Sequence, residues 1–203
     1  MHLESRPTEM ERYAETKKFI LDKLEKGLSS TLYYHGFHHV IDVLSSAEML
    51  GKMEGVPERE MELLRVAVLF HDAGFTFSPK NHEEQGCKMA NEFLPGFGYS
   101  KNEIETICGM ILATRYPQKP KNHLEEIICD ADLDYLGRDD FFEIGRTLFE
   151  ELKGQGSLND EDKWNRLQES FLLSHNYFTK SAINLRNAKK LEHLDMIRKV
   201  LND

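Results

Sequence analysis

Apolar residues recur every three or four positions through most of this chain, which is the period of an amphipathic helix, and no stretch sustains the alternation of a half-buried strand. The pattern predicts a first helix from about Met10 to Lys26, with Tyr13, Phe19, Ile20 and Leu24 near one face and Gly27 as a stop. A turn-like segment, Tyr33 to His39, leads into Val40-Ile41-Asp42-Val43-Leu44 and a second helix running to about Leu50. Pro57 suits the first turn of a third helix, which carries Met61, Leu64, Val68 and the pair His71-Asp72. Three starts share one signal, a capping residue followed three positions later by Glu: Asn81 with Glu84, Ser100 with Glu103, and Asn122 with Glu125. Pro95-Gly96 ends the helix that Asn81 opens, and Tyr116-Pro117-Gln118-Lys119-Pro120 has to be a loop. Asp139 or Asp140 opens a further helix through Leu152, Gly154-Gln155-Gly156-Ser157 breaks it, and two more run from about Asp160 to Leu173 and from about Lys180 to Leu201. The expected fold is an all-α, single-domain multi-helix bundle, with essentially no sheet.

Composition narrows the function classes. The chain has 203 residues, enough for one well-buried core, and no Pro/Gly/Ser-rich linker divides it. A net charge of −9 argues against a non-specific nucleic-acid surface, so an anionic substrate would need local positive charge from a metal or a few Arg and Lys. No segment approaches the apolar length of a membrane span, and Met1 to Pro7 lacks the apolar core of an export signal; a cytoplasmic protein is expected. Cys87, Cys108 and Cys129 form no CxxC, which fits reduced, buried thiols better than a disulfide framework or a zinc knuckle.

The stretch Leu69-Phe70-His71-Asp72-Ala73-Gly74 changes this picture. An apolar run, Val66 to Phe70, carries a histidine and an aspartate into an interior that cannot accept them unpaired. A divalent cation satisfies both, because neutral imidazole and carboxylate are good ligands for first-row metals. A buried ion pair, or a helix end at Gly74, is the alternative. Any further ligands come from elsewhere in a helical protein. His35, His38 and His39 cluster before the second helix, and Ile127-Ile128-Cys129-Asp130-Ala131-Asp132-Leu133-Asp134 again delivers carboxylates into the interior. Asp130 and Asp134 share a helix face that Asp132 does not, so both faces cannot point at one ion.

Tyr34-His35 followed by His39, then His71-Asp72 after an apolar run, then Ala131-Asp132-Leu133, resembles the HD superfamily of metal-dependent phosphohydrolases. The resemblance covers an HD core of about residues 30 to 140, with C-terminal helices over 141–203 packed on it. It implies that His39, His71, Asp72 and Asp132 hold a divalent cation, of Mn, Fe, Co, Ni, Zn or Mg. In that reading Asp72 also orients a water, His82 or Glu83 manages its proton, and His35 protonates the departing alkoxide. His38 is expected in solvent or behind the ligands, Asp130 as a prop for a ligand or a backbone cap, and Asp134 as an exposed helix-end residue. No histidine occurs in Met110 to Arg115, where some subgroups place a further ligand, and this favours one ion over two. Arg115 and Lys119, with Lys121 behind, are candidates to grip phosphate oxygens, although helix ends commonly carry such cations.

The segment Phe171 to Thr179 followed by Arg186 resembles one bacterial branch of the superfamily, and is expected to pack the last helices together rather than to close over the site. The expected activity is hydrolysis of a phosphate ester or pyrophosphate bond of a nucleotide or similar small phosphate compound. A cyclic-nucleotide or other phosphodiesterase is the alternative within enzymes, and a non-catalytic metal- or nucleotide-binding module the alternative outside them. An exposed apolar face on the last helix would support a homodimer.

Overall fold

The computed structural model describes residues 9–202; Met1 to Pro7, on which the expectation about export rests, lie outside them. Nine α-helices are present among the described residues, with no strand: α1 (Glu9–Gly27), α2 (Phe37–Met53), α3 (Glu58–His71), α4 (His82–Phe93), α5 (Lys101–Ala113), α6 (His123–Asp132), α7 (Phe141–Gly154), α8 (Glu161–Ser174) and α9 (Lys180–Asn202). Short 3-10 turns follow α3, α4 and α6, at Ala73–Thr76, Leu94–Phe97 and Asp134–Gly137.

The helix α3 is the axis of the bundle. Every residue from Val66 to Phe70 is fully buried, as expected of a helix apolar on all sides, and α1, α2, α4, α5 and α6 all pack against it. Its one buried carboxylate, Glu62, is satisfied by Arg12 at 2.7 and 3.0 Å and by the Tyr99 hydroxyl at 2.8 Å, which ties α1 and the start of α5 to α3. The helices α7, α8 and α9 form the remaining wall, with α9 docked on α8 and on the Asp134–Gly137 turn. No helix among the described residues is long and apolar enough to cross a membrane.

Most boundaries follow the sequence pattern, and the departures have local causes. The second helix starts earlier than expected, at Phe37, and so places His39 in its first turn. Ser100 and Glu103 form the expected capping box. Asn122 caps α6 by accepting from the Glu125 amide at 3.1 Å, while the Glu125 carboxylate reaches back to the Lys121 amide at 2.7 Å. Asn81 does not cap: it sits in the left-handed region with φ 56° and makes no side-chain bond to the helix, and Glu84 pairs instead with Arg115. Pro95-Gly96 falls within the 3-10 turn that continues α4.

Asp134 is a correction. Rather than an exposed helix end, it is 1% exposed, held by Arg186 at 2.7 and 3.0 Å and by the Ser46 hydroxyl at 3.1 Å, so that α2, α9 and the turn after α6 are tied together. Asp130 resolves as a backbone cap. It accepts from the amides of Phe178 and Thr179 at 2.9 and 2.8 Å and from the Thr179 hydroxyl at 2.7 Å, at the start of α9. Burial nevertheless pushes its carboxyl up to about 6, against the opposing effect of those three bonds.

Candidate metal and active site

The last residues of α3 point His71 and Asp72 into a buried hollow facing the start of α2 and the end of α6. The His71 Nδ1–H donates to the Val68 carbonyl at 2.7 Å, which orients the ring and turns Nε2 inward. That Nε2 and Asp72 Oδ2 are both buried and neither has a hydrogen-bond partner. His39 brings its Nε2 to 3.6 Å from Asp72 Oδ2 and 3.1 Å from Asp132 Oδ1. From His71, Asp72 Oδ2 is 3.4 Å away and Asp132 Oδ1 3.6 Å. Two carboxylates thus flank two imidazoles whose Nε2 atoms both face them. His39, His71 and Asp72 form the only group among the described residues whose ligand atoms lie close enough together to share a metal ion.

The electrostatics agree with that geometry. Burial opposes a charged imidazole at His71, but Asp72 and Asp132 outweigh it and raise the group to about 9. Burial likewise opposes the Asp132 and Asp72 carboxylates. The hydrogen bond from His39, with His71 close by, holds Asp132 well below its ordinary range, and the nearby His71, His35 and His39 lower Asp72. Imidazole nitrogen and carboxylate oxygen atoms that face one another without protein partners are a donor set suited to one divalent cation, which would displace the His71 proton. Asp132 borders this group, 3.1 Å from His39 and 3.6 Å from His71, whereas Asp130 is committed to the α9 backbone.

Around this cluster stand the other expected residues. Gly74 allows the approach of α4: a Cβ there would lie 2.0 Å from the His82 carbonyl oxygen, so a larger residue would push the helix start away. His82 consequently places its Nε2 at 3.4 Å from Asp72 Oδ1 and 3.5 Å from Glu83 Oε1, and Glu83 is buried. His35 and His82 both pack on Phe75, with ring centroids 4.3 and 4.2 Å from it and 6.4 Å from each other. Arg115 reaches Glu83 at 3.4 Å and pairs closely with Glu84, so its charge is shared with two carboxylates. His38 is exposed.

Sequence reasoning missed Glu151. This carboxylate is 1% exposed, accepts the His35 Nδ1–H at 2.6 Å and receives the amides of Tyr34 and His35 at 2.9 and 3.1 Å. It therefore holds His35 with Nε2 free. Burial lowers the His35 pKa, but the Glu151 hydrogen bond and the nearby Asp72 outweigh it, and the net shift is upward. The signal was present, since Glu151 falls three positions after Leu148 on the apolar stripe Phe141, Ile144, Gly145, Leu148, where a charge requires a buried partner.

A cavity of about 400 Å³ opens above the cluster, within the range of small-molecule sites. Asp72, Asp132, His35, His82, Glu83 and Arg115 line one end. Gln118 lines it and Lys119 does not, being exposed on the loop beyond. The far end is built by α7 and α8, including Phe171 and Leu172, so the C-terminal segment walls the site as well as packing the last helices.

Residues 36–134 match the HD domain family, a span that contains His39, His71, Asp72 and Asp132. The protein carries an HD domain. Solved structures with the same fold include a predicted HD superfamily hydrolase from an uncultured Thermotogales bacterium, 18% identical, with a TM-score of 0.61 and 91% of each chain covered. Bacillus subtilis YpgQ in complex with ADP is also 18% identical, with a TM-score of 0.62 over 95% of this chain and 96% of that one. The selenomethionine form of YpgQ is 17% identical, with a TM-score of 0.62 over 97% of each chain. No curated protein matches the chain. The HD domain ends before Glu151 and before the helices that wall the far end of the cavity, so those parts are described by this chain's own geometry.

Proposed function

We propose that the protein is a metal-dependent phosphohydrolase acting on a phosphate ester or pyrophosphate bond of a nucleotide or a similar small phosphate compound. The observation that carries this reading is the convergence of two partnerless buried atoms, His71 Nε2 and Asp72 Oδ2, with His39 and Asp132, beside a ligand-sized cavity that Asp72 and Asp132 line. His39, His71, Asp72 and Asp132 would hold one divalent cation. When bound, that cation supplies Lewis acidity, drawing charge from a phosphoryl oxygen and making a nearby water easier to deprotonate.

The chain's own residues divide the remaining work. Glu83 and His82, beside Asp72, receive the proton of the attacking water. His35 protonates the departing alkoxide from Nε2, since Glu151 fixes the other nitrogen and keeps the ring protonated to higher pH. Arg115 lends its guanidinium to the phosphate oxygens at the cavity mouth, restrained by Glu83 and Glu84. Lys119 would act on longer anions reaching the loop. The oriented His35–Glu151 pair favours turnover over a binding-only module, because a module needs no poised proton donor. The ADP complex of YpgQ supports a nucleotide as the ligand class.

The test is phosphate release and product analysis over mononucleotides, dinucleotides, cyclic nucleotides and triphosphates with Mn²⁺, using His71→Ala as control. Turnover in the wild type that vanishes in the variant is expected, and the products name the bond. Equal turnover in both would overturn the reading.

A further inference from the structure

The far end of the cavity has a chemistry that hydrolysis of a phosphate does not need. There α7 and α8 contribute Phe141, Leu148, Trp164, Phe171 and Leu172 to the lining, and the Gln168 amide is the one polar side chain that those two helices add. Gln168 is 8% exposed; its Nε2 donates to Asn165 at 3.3 Å, and Oε1 has no hydrogen bond among the described residues. Because Gln168 lines the cavity, its carbonyl oxygen is open to a donor on a ligand. Gly145 makes the space. A Cβ at that position would lie 3.2 Å from Gln168 Oε1 and 3.7 Å from the Trp164 ring, so a side chain there would crowd both. At the rim, Tyr116 packs on Phe171 with centroids 5.1 Å apart and bonds Ser174 through its hydroxyl at 2.9 Å, which ties the loop after α5 to α8.

We propose that this chamber seats the base of the nucleotide: an uncharged planar ring held against Trp164 and Phe171 and read at its edge by Gln168, with Gly145 as the residue that leaves it room. The inference rests on the phosphohydrolase reading and specifies which part of the substrate goes where. An acyl or isoprenoid chain would fill the apolar walls but leave the Gln168 carbonyl unanswered. A bare sugar phosphate would leave the aromatic walls wet. A ring with an N–H on its edge answers both, since aromatic faces stack on any base and the amide discriminates among edges. The phosphoryl group then falls at the polar end, beside Asp72, Asp132 and His35, which line the same cavity.

Trp164 is the single tryptophan of the chain, so its emission reports occupancy of the chamber directly. The experiment titrates the full-length protein, in EDTA, with free adenosine, guanosine, cytidine and uridine, and with ribose 5-phosphate as the ringless probe. Saturable quenching by at least one nucleoside is expected, with ribose 5-phosphate producing none. Gln168→Leu should weaken the preferred nucleoside by about tenfold and flatten the preference among bases. Gly145→Leu should abolish quenching while thermal unfolding remains cooperative. Because the readout needs neither metal nor turnover, nucleoside binding without phosphate release would leave the chamber standing and remove the hydrolase. Phosphate release from ribose 5-phosphate as efficient as from every nucleotide, or no quenching by any nucleoside, would remove the chamber and leave the hydrolase. Should Gly145→Leu not fold, the wild-type titration and Gln168→Leu decide the matter alone.

Discussion

Replacing Glu151 by Gln tests whether His35 is a proton donor or a packed ring. The wild-type carboxylate takes the His35 Nδ1–H at 2.6 Å with one oxygen and two backbone amides with the other. Gln keeps a carbonyl for the amides but turns an NH₂ toward Nδ1, so the neutral imidazole must accept there and the imidazolium loses its partner. A hydrogen bond to a charged group contributes about 1.5–3 kcal/mol, and each 1.36 kcal/mol moves a titration by one pH unit. The His35 titration, and with it the alkaline limb of kcat/KM, should therefore move down by about one to two pH units. Stability carries the same sign. His35 is raised in the folded protein above its ordinary 6.5, so its contribution is complete below that pH and is lost as pH rises through the folded value. In Glu151→Gln this decline should largely vanish. The assays are the pH profile of phosphate release and the NMR titration of the His35 ring, the second of which needs no activity. A ring that titrates at the same pH in both proteins would refute the reasoning.

Two further outcomes follow from the same contacts. Arg186→Leu leaves the buried Asp134 without its bidentate partner and should cost about 3–5 kcal/mol, lowering Tm by roughly 10 °C, with partial recovery when Asp134→Leu is added; a loss below about 1 kcal/mol would contradict the assigned pairing. In metal-free protein His71 is raised to about 9, so the stability it contributes is full below 6.5 and lost as pH climbs toward 9. Metal must displace that proton, so the gain in Tm on adding Mn²⁺ should grow across this interval; a gain that is flat or shrinks with pH would contradict the ligand assignment.

What the sequence made legible is what depends on neighbours along the chain. The three-to-four spacing of apolar residues marks all nine helices, Ser100 with Glu103 marks a capping box, and an apolar run ending in His71-Asp72 marks a buried pair in need of a partner. What stayed hidden depends on residues far apart. Asp134 is buried because Arg186 arrives 52 positions later, and Asp130 caps a helix whose start lies nearly as far off. Glu151 serves His35 from 116 positions away. Asn81 shows the opposite failure: a local cap signal is overridden because the close approach of α4 at Gly74 sets the turn, and Glu84 finds Arg115 instead.

Hydrolysis by this chain requires the cluster of His39, His71, Asp72 and Asp132 to hold a working metal. The most direct measurement strips the wild type with chelator, adds Mn²⁺ back in steps, and follows bound metal and phosphate release together, with His71→Ala alongside. Activity that rises in proportion to bound metal and saturates near one equivalent, with neither binding nor release in the variant, is the predicted result. Phosphate release that persists in stripped protein, or metal retained equally by His71→Ala, would contradict it.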